Sequence, residues 1–197
     1  MISWFFIGLV ITILFTPGPT NTLLASSGVQ VGVRKSLLLI PAEALGYIVA
    51  ITAWGMLIGK VSTALPLLPT FLKLMSAGYI LYLAIKLWRT ANQQVALNQP
   101  TIRPRELLFA TLLNPKALLF ASAIFPAVAW KSQEIYLVHM SVFVGLILPI
   151  ALFWISVGAM LATNKVKWLS QSKLQRTASV VLISFSIPIS YSALINL

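Results

Sequence analysis

Apolar residues in this chain come in long runs, with no regular alternation between an apolar and a polar face. A membrane helix needs roughly 20 mainly apolar residues to cross about 30 Å of hydrocarbon. Six stretches meet that length: 2 to about 25, 37–59, about 67–88, 107–128, 136–162 and 177–196. A soluble surface helix would show two contrasting faces, and these do not, so a soluble bundle is set aside. Backbone polar groups in a bilayer must be satisfied internally, which leaves helices or broken helices. The expected fold is all-α: a polytopic membrane protein with six transmembrane helices. The first run reads as a mature span, not a signal peptide, because the first basic residue is Arg34 and no small-x-small site follows a short apolar core.

Connections are short. The longest, 89–106, carries Asn92, Gln93, Gln94, Asn98, Gln99 and two prolines. It reads as a connecting loop between a first half, 1–88, and a second half, 107–197, of a single membrane domain, 1–197.

Composition sharpens this picture. The 197 residues are 59% hydrophobic and 9% charged, against about 45–50% and about 25% in soluble domains. An ordinary cytosolic enzyme and a disordered tail are both excluded. With 14 Lys+Arg against 3 Asp+Glu, the formal net charge is +11, which on a soluble protein would suggest nucleic acid. Topology explains it instead. Arg34, Lys35, Lys86, Arg89, Arg103, Arg105, Lys165, Lys167, Lys173 and Arg176 all fall in or beside the first, third and fifth loops. Those loops are therefore expected on the cytoplasmic side, with both termini outside; Lys60, Lys131 and Lys73 fall to the opposite side. No nucleic-acid partner is needed. Cysteine is absent, so there is no disulfide framework, thiolate metal site or dithiol chemistry.

Trp4, Trp88, Trp130, Tyr136 and Trp168 lie near expected span ends, where amphipathic rings favour the interface. Trp54 and Trp154 are deeper and are expected between helices. His139, near the outer end of the fifth span, reads as an interface residue, and no second histidine exists to share a metal.

Two spans are interrupted. The first contains Thr16-Pro17-Gly18-Pro19-Thr20-Asn21, and prolines at Pro17 and Pro19 remove donors and clash with the preceding turn. The break lies roughly 22 Å along the span. Non-helical backbone at that depth must be buried in protein or line a cavity. Asn21 is then expected at the start of a second half-helix, whose free N–H groups favour an anionic group. The fourth span repeats the device at Asn114-Pro115-Lys116, with Lys116 roughly 15 Å in. Glu43 sits roughly 10 Å into the second span, after Pro41 and one turn before Tyr47. Glu43 and Lys116 are thus within reach of each other. Intramembrane charges cost about 2.5–3.5 kcal/mol or more, so they mark functional sites by default. A purely structural charge pair and a purely structural kink are the plain alternatives. Pro17, Gly18, Pro19, Asn21, Glu43, Tyr47, Asn114, Pro115 and Lys116 form the candidate substrate-binding or coupling site, with no metal and no cofactor.

Spans one and four each open a group of three and each carries an Asn near Pro. Pro41 and Pro149 fall in the second and fifth spans, at different depths. Three spans per group makes the halves inverted repeats with broken first and fourth helices, an architecture that points to a secondary transporter.

Pro17-Gly18-Pro19-Thr20-Asn21-Thr22-Leu23-Leu24 resembles the lysine exporter (LysE/RhtB) family. So do Gly32-Val33-Arg34-Lys35, Leu72-Lys73-Leu74, Gly78-Tyr79-Ile80-Leu81-Tyr82-Leu83, Leu113-Asn114-Pro115-Lys116-Ala117, Phe120 and Phe125-Pro126. The resemblance covers nearly the whole chain. It implies a bacterial cytoplasmic (inner) membrane exporter of amino acids or small metabolites, driven by the proton gradient. One departure stands out: many members carry Gly-Asp in the second span, where this chain has Gly46-Tyr47, and its acid, Glu43, comes one turn earlier.

No GxxxxGK[ST] occurs, so the chain itself does not hydrolyse ATP through such a loop. A zwitterionic solute would match Glu43 at one pole and the Asn21 half-helix start with Lys116 at the other. A membrane enzyme would need convergent catalytic groups, whereas HExxH, CxxC and GxSxG are all missing. A channel would show polar residues along several helices, whereas here they gather on spans one, two and four; a non-transporting scaffold is the remaining rival. The expected partners are a small-molecule substrate and the lipid bilayer, and the sequence is compatible with a homodimer.

Overall fold

The computed structural model describes residues 2–61, 65, 67–90 and 101–162, together with 176, 179, 180, 183, 184, 186, 187, 190 and 191. Among these residues the regular elements are all helical. In order they are α1 (Trp4–Phe15), α2 (Pro19–Ser36), α3 (Leu39–Val61), α4 (Leu68–Thr90), α5 (Pro104–Leu112) and α6 (Pro115–Leu119). A π-helical turn (Phe120–Ile124), a 3-10 turn (Ala127–Trp130) and α7 (Gln133–Ala162) follow.

The stretch Leu39–Lys60 in α3 and the whole of α7 are each long and apolar enough to cross a membrane. Two more candidates are bent pairs: α1 with α2 at 55°, and α5 with Pro115–Ile124 at 45°. Helix α4 covers the third expected span. Of the sixth, the described positions from 179 onward are helical, and the Ser179 hydroxyl donates to the Ala84 carbonyl at 2.7 Å. Most of 177–196, the loop 91–100, Trp168, Lys165, Lys167, Lys173 and the side chains of Lys73 and Lys86 lie outside the described residues. The Arg176 guanidinium sits over the Trp88 ring at 5.6 Å, so two positions expected at one membrane face meet there.

Pro41 and Pro149 do not break their helices. Pro41 falls in the first turn of α3, where its missing N–H has no partner to lose, and Pro149 lies within a continuous α7.

Helix α2 runs to Ser36, well past the end expected near Ala25, with one kink at Gly32 (φ 76°). The apolar run stops early because Ser26, Ser27 and Gly28 follow, yet all three are buried. The Ser27 and Ser36 hydroxyls pair at 2.7 Å, and Ser36 Oγ donates to the Gly32 carbonyl at 2.8 Å. Gly28 and Gly158 explain the burial: a Cβ on Gly28 would overlap the Ile155 carbonyl, and one on Gly158 the Ala25 carbonyl. Small residues let membrane helices approach backbone to backbone, and α2 crosses α7 in this way. The other strong contact, α3 on α5, has Gly46 against the Thr111 side chain.

The core carries an edge-to-face aromatic cluster, with Tyr47–Phe120 at 5.9 Å and Phe120–Phe143 at 4.9 Å between ring centres. The tryptophans and the histidine divide differently from expectation. Trp154 is buried, but Trp54 is 38% exposed, because depth along a helix does not determine which face it occupies. Trp4 and Trp88 are exposed, whereas Trp130 stacks on Phe125 at 5.4 Å and fills the notch over Gly55. His139, expected at the interface, is buried, with its ring edge-to-face with Phe6 at 4.8 Å.

Candidate functional site

The first break follows from the chemistry of its prolines. A helical carbonyl accepts from the N–H four residues on, so Pro17, which has none, leaves Ile13 without its usual donor. The chain turns extended at Thr16 (φ −66°, ψ 126°) and resumes as α2 with Gly18 as N-cap, so the carbonyls of Leu14 and Thr16 also need partners. Two side chains supply them. Lys116 Nζ donates to Ile13 O at 3.0 Å and Thr16 O at 2.6 Å. Asn21 Nδ2 donates to Leu14 O at 2.7 Å and Thr16 O at 2.8 Å. An ammonium at the negative end of a helix is also well placed electrostatically. Gly18 makes room for it, since a Cβ there would stand 3.1 Å from both Cε and Nζ of Lys116.

The second break places that lysine. Asn114 caps α6, its Oδ1 accepting from the Lys116 N–H at 3.0 Å, and Pro115 occupies the first turn. The Asn114 amide donates to the Tyr47 hydroxyl at 3.0 Å and to Thr20 Oγ1 at 3.4 Å. Thr20 also stands beside the Glu43 carboxyl, which interacts electrostatically with Lys116. Tyr47 therefore lies one turn beyond Glu43 on the same polar cluster, which joins α2, α3 and α6.

The residues expected to form the site do converge at the two breaks. The arrangement differs in two ways. Asn21 does not present its amide to a solute: it turns back onto the carbonyls of α1, because those acceptors are nearer and otherwise short of donors. Lys116 directs its hydrogen bonds to the α1 backbone, with Thr20 standing against Glu43. Thr20 was missed as a candidate, although it sits inside the Pro17–Asn21 motif in the first turn of the second half-helix.

The cluster is sealed, with Glu43 1% and Lys116 2% exposed. Removing two charges from water costs several kcal/mol per ion, so it is a poor choice for stability alone. Among the described residues no group of three or more metal-ligating side chains occurs. The chemistry the cluster holds is a carboxyl able to exchange a proton, with an ammonium, the Asn114 amide and the hydroxyls of Thr20 and Tyr47 around it.

Searches of curated proteins and of solved structures give no match. The family model described as LysE type translocator matches residues 11–192, and the chain, all-helical where described and broken at the two Pro motifs, belongs to that family of polytopic membrane translocators.

Proposed function

We propose that this protein is a secondary transporter that exports amino acids or related small zwitterionic metabolites across the bacterial cytoplasmic membrane. Export is coupled to protons and proceeds by alternating access at the broken helices. The observation that carries the reading is one sealed cluster in which Lys116, from the second break, caps the first break while Glu43 stands by through Thr20.

The mechanism follows from that capping. A solute carboxylate that draws Lys116 away takes two hydrogen bonds from the end of α1, so binding and helix geometry are linked. A solute ammonium faces Glu43, which exchanges it for a proton as the site changes sides. Thr20 and Asn114 keep the carboxyl and the ammonium in register. The two halves, 1–88 and 107–197, act as inverted three-helix repeats of one membrane domain. The basic loops lie in the cytoplasm and both termini outside, as the charge distribution favours.

The test is efflux from preloaded cells, screened across amino acids. Glu43→Gln keeps the size and the Thr20 contact but cannot ionise. At equal membrane abundance it is expected to lower the efflux rate at least tenfold. Efflux equal to wild type would sink the proposal. In proteoliposomes, gradient-dependent flux that saturates with solute is expected of a carrier, and flux without saturation would mean a channel.

A further inference from the structure

A second polar site lies apart from the two breaks. At the N-terminal ends of α1 and α7 a cavity of about 350 Å³ is lined by apolar groups including Phe6, Ile124, Pro126 and Val138, together with Glu134 and His139. None of the residues of the Glu43–Lys116 cluster lines it. Its volume falls within the roughly 300–1,000 Å³ of small-molecule sites, which are mostly apolar with a few fixed polar groups.

Those polar groups have a definite character. His139 Nδ1 lies 2.8 Å from the Ile135 carbonyl, and because a carbonyl only accepts, Nδ1 carries the proton of the neutral ring. Nε2 is then left as an acceptor, on a ring held edge-to-face by Phe6 at 4.8 Å. Glu134 adds a carboxylate. Among the described residues no lysine or arginine lines the cavity. Two acceptors beside apolar walls, with the Ser3 hydroxyl whose oxygen already accepts from the Phe6 N–H at 3.1 Å, match an ammonium on an apolar body.

We propose that this cavity is a binding site for a small apolar solute bearing an ammonium group, with Glu134 and His139 Nε2 receiving the ammonium and the aromatic and aliphatic wall receiving the body. As a station on the export route it rests on the transport reading; as a binding site it stands alone.

The test is equilibrium binding of radiolabelled isoamylamine to the full chain in nanodiscs. Saturable binding is expected, weakened at least tenfold by Glu134→Gln at its exposed position and likewise by His139→Phe, which keeps a packed ring but removes Nε2. 4-Methylpentanoate, with the same body and no ammonium, is expected not to compete. Binding unchanged by Glu134→Gln, or equal competition by 4-methylpentanoate, overturns the proposal in favour of an apolar groove for lipid. Binding abolished by Glu43→Gln and untouched by Glu134→Gln would assign isoamylamine to the buried cluster and also overturn the proposal. Normal efflux by Glu43→Gln with binding still dependent on Glu134 defeats only the transport reading.

Discussion

Lys116→Met is expected to destabilise the protein by about 3–5 kcal/mol, since two buried hydrogen bonds from a charged donor are lost, each worth about 1.5–3 kcal/mol. Methionine preserves the stem and its packing, so the loss belongs to the ammonium. Two effects combine. The carbonyls of Ile13 and Thr16 lose a donor each, and Glu43 is left buried without its neighbouring cation. Thermal unfolding of the purified protein reads the sum. Adding Glu43→Gln separates the parts: with no charge left behind, most of the electrostatic loss is expected to return while the capping loss remains. A single variant as stable as the parent would mean that the lysine does not hold the break closed.

Gly158→Ala is expected to cost about 3 kcal/mol, at the upper end of ordinary overpacking. The new Cβ falls on the backbone carbonyl of Ala25, and backbone cannot swing aside as a flexible side chain does. Helices α2 and α7 must separate, pulling on the half-helix that begins at the first break. Gly145 provides a matched control in the same helix, since a Cβ there meets nothing within 4 Å. Gly145→Ala is expected to be neutral or to stabilise by about 0.5–1 kcal/mol through helix propensity. Parallel unfolding curves of the two variants check both values, and equal stabilities would deny the close crossing.

What the sequence disclosed, it disclosed through residues whose chemistry leaves little choice. Pro17, Pro19 and Pro115 cannot continue an α-helix unmodified, so the breaks were legible, as was the burial of Glu43 and Lys116 inside apolar runs. What stayed hidden depended on rotation and partner choice. Asn21 was placed at the correct break, but nothing local says whether an amide faces outward to a solute or back to orphaned carbonyls. Trp54 and Trp154 have similar surroundings in sequence and opposite fates in the fold. The Ser26-Ser27-Gly28 stretch looks like the end of a span by hydropathy, and only the facing Gly158 turns it into a packed interface. Thr20 and His139 share this difficulty: their roles come from the groups beside them, and those come from distant parts of the chain.

The capping of the first break also has a history in time. Ile13 and the lysine that serves it are 103 residues apart, so at synthesis rates of about 5–20 residues per second the nascent helix end waits about 5–20 s for its second donor. Asn21, only seven residues from Leu14, is available almost at once. The break is therefore held first by a local amide and completed only when the second half arrives. A ribosome that stops between the halves releases a chain whose first helix pair is still waiting for its lysine.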